Sequence, residues 1–209
     1  MADTHMFHAD FRGTSAIPAG DVLVHAGDMG RAGDEEELAE VARWLRSLPH
    51  RHKVVVAGNH DFLFQTEPAK ARELFAGLTY LEDSGCTIDG VTFWGSPWTP
   101  VFFDWAFMLP RESDLMKDKW ALIPERLDVL ITHGPPHGTL DDARTYRGGG
   151  RHVGCEALRD RVAVVKPRVH VFGHIHNNQG VVEGETRSVN CTTNESELAP
   201  VVVDLQLQR

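Results

Sequence analysis

The sequence predicts an α/β domain, and three observations carry that prediction. Short apolar runs rich in Val, Leu and Ile each stop at a cluster of Gly, Asp, Asn or His, the pattern of buried strands that end at a sheet rim. Amphipathic segments of helical spacing lie between several of these runs. The chain shows no internal repeat, linker or low-complexity stretch, so its 209 residues fit one domain of ordinary size with a substantial core.

In chain order, Met1-Ala2-Asp3-Thr4-His5 sets a carboxylate and an imidazole two residues apart. Asp21 to Ala26 reads as a strand ending in Gly27-Asp28. A helix follows, capped at Gly33 or Asp34, with Glu35, Glu36 and Glu37 against the N-terminal dipole and Leu38, Val41, Ala42, Leu45 and Leu48 on one face; Pro49 stops it. Val54 to Ala57 form a strand closed by Gly58-Asn59-His60-Asp61, and a helix is expected from Pro68 to Phe75. Gly85 to Ile88 and Val91 to Trp94 flank Asp89-Gly90, a hairpin signal. The aromatic stretch from Gly95 to Phe107 either packs its own rings or forms a wall for a flat substrate such as a base. A helix is expected over Ser113 to Leu122 and a strand over Leu127 to Thr132, ending in His133-Gly134. The triplet Gly148-Gly149-Gly150 reads as a hinge or lid. A helix from Cys155 to Val165 leads to a strand, Val169 to Phe172, closed by Gly173-His174-Ile175-His176. A hairpin over Gly180 to Val189, turning at Glu183-Gly184, and a last strand, Val201 to Leu205, complete the reading.

Composition narrows the function classes. The chain is 42% hydrophobic and 24% charged, a soluble globular balance. It has no apolar stretch near the roughly 20 residues that span a bilayer and no signal pattern at its start, which places it in the cytoplasm. Cys86, Cys155 and Cys191 are odd in number and widely spaced, so reduced core thiols are expected rather than disulfides or a thiolate metal site. Asn190 and Asn194 open glycosylation patterns that read as chance without a secretory signal. A net charge of −9 argues against non-specific nucleic-acid binding, which requires cations at the phosphates.

Twelve histidines then stand out. The strand ends offer Asp3, His5, Asp28, Asn59, His60, His133, His174 and His176, and strands of one sheet bring their ends to one rim. Buried carboxylates and imidazoles without partners would be costly, so a shared purpose is expected. Oxygen and nitrogen donors without sulfur suit divalent Mn, Fe, Zn or Co, and the donors outnumber what one tetrahedral ion takes, so two metal ions are expected. A carboxylate such as Asp28 can bridge them, and such a pair clamps the attacking and leaving oxygens at phosphorus, which points to phosphoester hydrolysis.

Asp3-x-His5, Gly27-Asp28, Gly58-Asn-His-Asp61, His133 and Gly173-His-x-His176, in this order, resemble the sequence blocks of the calcineurin-like metallophosphoesterase superfamily. Gly95-Ser-Pro-Trp-Thr-Pro, Lys119 to Pro124, Thr132-His-Gly-Pro-Pro136 and Val153-Gly-Cys155 resemble its branch of animal metallophosphoesterase-domain (239FB-type) proteins and class III cyclic nucleotide phosphodiesterases. The resemblance implies a four-layer α/β/β/α sandwich with the metals at the edge of its sheets. It assigns Asp3, His5 and His176 to one metal and Asn59, His133 and His174 to the other, bridged by Asp28. His60 is implied to contact the phosphate and protonate the leaving oxygen, with Asp61 orienting its ring. The implied reaction is attack of a metal-bridging hydroxide on a phosphodiester, with cyclic nucleotides the substrate class. Alternatives are a phosphomonoesterase acting on a nucleotide or phosphoprotein and a nucleotide-binding regulatory protein of low activity. His137 is a candidate substrate contact; Arg31, Arg144 and Arg147 are candidates for the phosphate or for solvated surface. A small phosphoester is the expected partner, no membrane is involved, and a homodimer is allowed.

Two departures from the family pattern matter. Relatives in the animal branch often have Gly where this chain has His174, so the intact ligand implies a competent enzyme. Family members lead into the first Asp through a β-strand, whereas only Met1 and Ala2 precede Asp3 here, so the first strand is expected to be truncated and Asp3 and His5 to be held less firmly.

Overall fold

The computed structural model describes residues 1–12, 16–144 and 150–206. Its elements are β1 (Val22–Ala26), α1 (Glu35–Ser47), β2 (His52–Val56), α2 (Phe62–Thr66), α3 (Pro68–Leu74), β3 (Thr79–Tyr80), β4 (Ser84–Ile88), β5 (Val91–Ser96) and β6 (Thr99–Pro100). They continue with β7 (Met108–Leu109), α4 (Asp114–Ala121), β8 (Val129–Thr132), β9 (Asp142–Arg144), β10 (Gly150–His152), α5 (Glu156–Val165), β11 (Val169–Phe172), β12 (Gly180–Val182) and β13 (Arg187–Asn190).

Two sheets organise the chain. One is parallel in the order β1-β2-β3; the other runs β12-β13-β11-β8-β5-β4, its inner strands parallel and both edge strands, β12 and β4, antiparallel. The side-chain period of a strand explains how they stack. Val54 and Val56 of β2 face Phe93, Val129, Ile131, Val169 and Val189 of the larger sheet in one apolar cluster, while Val55 between them joins the cluster under α1 and α3. Leu130 of β8 likewise turns the other way, against Met116 and Trp120 of α4 and Leu158 of α5. The strands are therefore apolar on both faces because both faces are covered. The layers read helix, sheet, sheet, helix.

Two of the helices begin at side-chain caps that the sequence provides. The Asp34 carboxylate accepts the Glu37 N–H at the start of α1, and the Ser113 hydroxyl accepts the Met116 N–H at the start of α4. Hairpins β4/β5 and β12/β13 form where Asp89-Gly90 and Glu183-Gly184 place them. The segment after Pro200 differs from expectation: it runs without a ladder, Val201, Val203 and Leu205 turned to the inter-sheet core and the residues between them exposed. Its alternation is that of a strand, but no neighbouring strand among the described residues completes the ladder. Of the glycine triplet, 148 and 149 lie outside the described residues and Gly150 opens β10.

The start of the chain is inserted between the sheets. The Met1 ammonium donates to Val24 O, Met1 O accepts from Ala26 N–H, and Asp3 N–H donates to Gly27 O, so Met1 to Asp3 run along the free edge of β1. On the other side Ala2 bridges Thr192 just past β13, its carbonyl accepting from Thr193 N–H. This short stub links the two sheets at the rim. Behind it a cavity of about 620 Å³ opens between Val22, Val171, Val189, Val201 and Val203.

Candidate metal centre

The rim receives its polar residues from loops that leave the strands sharply. Asp3, His5, Asp28 and His174 all hold positive φ, 57°, 39°, 55° and 69°, a conformation that costs a non-glycine residue energy and marks over-determined functional backbone. Gly58 makes the approach of the sheets possible: a Cβ there would lie 2.2 Å from Asp28 Oδ1 and 2.7 Å from His133 Cε1.

Three of the rings are oriented by a backbone carbonyl on the far nitrogen. His5 Nδ1 donates to Gly30 O at 3.1 Å, His133 Nδ1 to Ala26 O at 2.9 Å and His60 Nδ1 to Arg31 O at 2.7 Å. In all three, Nε2 is left for the site. The Asp3 carboxylate accepts the His174 N–H at 3.1 and 3.0 Å and lies 3.7 Å from His176 Nε2. Asp28 stands at the centre, with Oδ1 accepting the His60 N–H at 2.8 Å and 3.3 Å from His133 Nε2, and Oδ2 3.7 Å from His5 Nε2. Asp3, Asp28, Asn59 and His133 are buried, whereas the His176 side chain is 36% exposed.

Three sets of ligand atoms, each within 4.8 Å of one another, follow: Asp3, His5 and His176; His5, Asp28 and His60; Asp28, His133 and His174. Asn59 joins the last, its Oδ1 2.8 Å from His133 Nε2. Among the described residues these are the only such groups, and all lie on this rim.

The geometry calls for a cation. With Nδ1 committed to Ala26 O, a neutral His133 ring turns its Nε2 lone pair at the oxygens of Asn59 and Asp28. Such facing lone pairs repel unless a proton or a metal ion lies among them. The electrostatics express the same demand: burial would lower the His133 imidazole, yet the Asp28 carboxylate pushes it up to about 9. Burial opposes ionisation of Asp28, but His133, then His5 and His60, outweigh it and hold the carboxyl far below the usual range. Burial and the neighbouring His133 charge pull His174 down to about 4, leaving its ring neutral. Among the described residues the amide nitrogen of Asn59 is buried without a hydrogen-bond partner. Nitrogen and oxygen donors in these numbers fit divalent first-row metal ions.

Some expected roles change. Asp61 does not hold the His60 ring; its Oδ1 accepts the N–H groups of Met29 and Gly30 at 3.0 Å each and its Oδ2 that of Gly58 at 2.7 Å. It ties the loop after β1 to the turn after β2. The residue that orients His60 is Arg31, through its carbonyl, and no side-chain pattern could have signalled it. His137 turns toward Glu156, 3.7 Å away, and the His152 ring, and belongs to none of the metal-binding sets. The Arg31 guanidinium donates to His5 O and covers the Phe7 ring; the Arg144 side chain and Arg147 lie outside the described residues. Trp105, within the aromatic stretch that the sequence offers as packed rings or a wall for a base, places its ring 4.8 Å from that of His60.

A carboxylate- and imidazole-lined rim of stacked sheets, able to hold divalent metal, defines the class as a metallohydrolase type of site. Comparison with known families makes this specific: residues 1–178 match the model of the calcineurin-like phosphoesterase family, and the chain belongs to that family. It is 40% identical to human metallophosphoesterase domain-containing protein 1 over 222 residues, covering 92% of this chain and 67% of that protein. A UPF0046 protein of Caenorhabditis elegans is 34% identical, over 95% of this chain and 58% of its own length. Among solved structures, the phosphopantetheinyl hydrolase of Mycobacterium tuberculosis superposes with a TM-score of 0.60 at 15% identity, covering 100% of this chain and 96% of that one. TT1561 of Thermus thermophilus superposes at 0.57 with 15% identity, over 84% and 78%. At such identities these structures share the fold. Among the described residues no helix is long and apolar enough to cross a membrane.

Proposed function

We propose that this chain is a phosphodiesterase that works with two divalent metal ions, one held by Asp3, His5 and His176, the other by Asn59, His133 and His174, with Asp28 between them. The observation that carries the reading is the convergence of Asn59 Oδ1 and Asp28 Oδ1 on Nε2 of His133, at 2.8 and 3.3 Å, beside the set formed by Asp3, His5 and His176. Bound there, the ions supply Lewis acidity toward phosphoryl oxygens and an acidified water as nucleophile.

The chain's own residues do the rest. His60, fixed by its Nδ1–H to the Arg31 carbonyl, presents Nε2 to the phosphoester; as the imidazolium, with a second proton on Nε2, it gives that proton to the departing oxygen, which leaves as an alcohol while the ring returns to its neutral form. The His60 N–H holds Asp28, so movement of this turn would disturb the centre and the proton donor together. Asp61, through three backbone N–H groups, keeps the two loops at a fixed spacing. Nucleotides, cyclic ones first, are the substrate class, and a cytoplasmic setting suits three unpaired cysteines.

The test is elemental analysis of protein loaded separately with Mn, Fe, Zn and Co, followed by rates on 2′,3′-cyclic AMP and on 5′-AMP. Two metals per chain and a faster diester reaction are expected. Faster monoester hydrolysis would make the protein a phosphomonoesterase, and occupancy below two after loading would overturn the paired-metal mechanism.

A further inference from the structure

The loop between β6 and β7 exposes more aromatic surface than a small domain normally leaves to water. Phe102 is 68% exposed, Phe103 56% and the neighbouring Val101 55%. The loop is nevertheless pinned. Thr99 N–H donates to Phe107 O and Val101 N–H to Leu109 O across its base, while Ala106 N–H donates to the carbonyl of the candidate ligand Asn59 at 3.1 Å. Phe107 N–H is held by Gln65 Oε1, and Ala106 and Phe107 are buried. Its foot is thus anchored on the metal centre and its rings stand in solvent.

Those rings continue a line that starts inside the centre. His5 meets His60 with centroids 4.9 Å apart, His60 meets Trp105 at 4.8 Å, Trp105 meets Phe103 at 4.9 Å, and Phe103 meets Phe102 at 4.4 Å. A phosphoester seated at the His5 and His60 end would lay its organic substituent along Trp105 and Phe103. The stretch from Trp98 to Leu109 contains no Lys or Arg, so it offers nothing to a second phosphate. It offers faces for stacking, which every base can use.

We propose that Trp105, Phe103 and Phe102 form the subsite that receives the planar, uncharged base of a nucleotide substrate, and so set the preference of this site for base-bearing phosphoesters. This rests on the phosphoesterase reading above. A surface patch for a membrane or a protein is disfavoured, because the rings reach the site through direct contact with the His60 ring instead of standing apart from it.

The experiment compares 2′,3′-cyclic AMP with glycerol 1,2-cyclic phosphate, the same strained ester without a base, on metal-loaded full-length protein. In Phe102→Ala/Phe103→Ala the ratio of kcat/KM for the first ester over the second is expected to fall at least tenfold, mainly through KM. Circular dichroism confirms that the variant folds, and Trp105→Leu provides a second variant with the same expectation. Equilibrium dialysis adds a readout free of turnover: metal-free protein should retain 5′-AMP at least tenfold more tightly than methyl phosphate, and the double variant should lose that margin. A ratio within twofold of the parent's, or vesicle binding that vanishes in the variant while the ratio stays, overturns the proposal. If the parent turns over neither ester, the phosphodiesterase reading falls and the dialysis margin alone upholds or overturns the base subsite.

Discussion

The two halves of the candidate metal centre are built on unequal foundations. Asn59 and His133 leave the ends of β2 and β8, each flanked by strands on both sides, and His133 is fully buried with its ring locked to Ala26 O. Asp3 and His5 leave a stub whose hold on the first sheet is the Met1 ammonium and the backbone bonds to Ala26 N–H and Gly27 O, and their partner His176 is partly open to solvent. Asp3 and His5 are nonetheless as buried as the other half, at 0% and 6% exposure. Hydrogen bonds to both sheets hold this segment in place. The lesson is that a ligand can be placed by what its loop bonds to as well as by the strand that leads into it. Its stability still depends on those few bonds, whereas a ligand on an inner strand shares those of the whole sheet.

The largest effect should come from the residue common to both halves. Asp28→Ala removes the carboxylate that faces His5 and His133, and activity should fall on the order of a thousandfold, as when preorganised charge is deleted from a reacting site; neither metal should survive dialysis, which elemental analysis would show. Next, Asp3→Ala and Asn59→Ala separate the halves. Asp3→Ala also strands the part-buried His174 N–H, a loss of roughly 1–3 kcal/mol, so it should lower the denaturation midpoint more than Asn59→Ala while each variant keeps one metal. Equal losses of stability would erase the asymmetry argued above.

Gly58→Ala probes the contact between the halves. Its new Cβ would overlap Asp28 Oδ1, and a displacement of this kind costs about 1–3 kcal/mol, with metal affinity falling as well; retained affinity would show that the Asp28 loop yields without harm. The remaining effect concerns pH. Burial pulls His25 and His170 down to about 3 from an ordinary 6.5, so both rings are neutral in the folded chain. Between those values the unfolded chain binds protons that the folded chain does not. Stability is therefore full above pH 6.5 and declines as the pH falls toward 3, with a slope approaching about 1.4 kcal/mol per pH unit for each ring. His170→Gln should make the slope of denaturant-derived stability shallower by one ring's share, and an unchanged slope would mean that the ring is already charged.

Much of this arrangement was legible in the residues. Val54 to Ala57 followed by Asn59 and His60, or Val169 to Phe172 followed by His174 and His176, announce a buried strand that ends at a rim, because the solvent boundary is written into the change from apolar to polar. What could not be read was direction. Asp61 follows His60 in sequence and was expected to hold its ring, yet the turn aims the carboxylate inward at Met29, Gly30 and Gly58. The short-range pattern also marked Val201 to Leu205 as a strand, while the ladder depends on a neighbour far away in sequence.

By itself the sequence determined the principal strands β1, β2, β4, β5, β8 and β11, the helices α1, α3, α4 and α5 and the donor types at the rim, since these follow from local periodicity and side-chain chemistry. Only the tertiary structure decided which atoms face one another: that Ala26, Gly30 and Arg31 carbonyls orient three imidazoles, that Asp28 lies between the two sets of ligands, that Trp105 reaches His60, and that Met1 and Ala2 bond to both sheets. Those relations join segments as far apart as Asp3 and His174, and only the stacking of two sheets brings them within a hydrogen bond of each other.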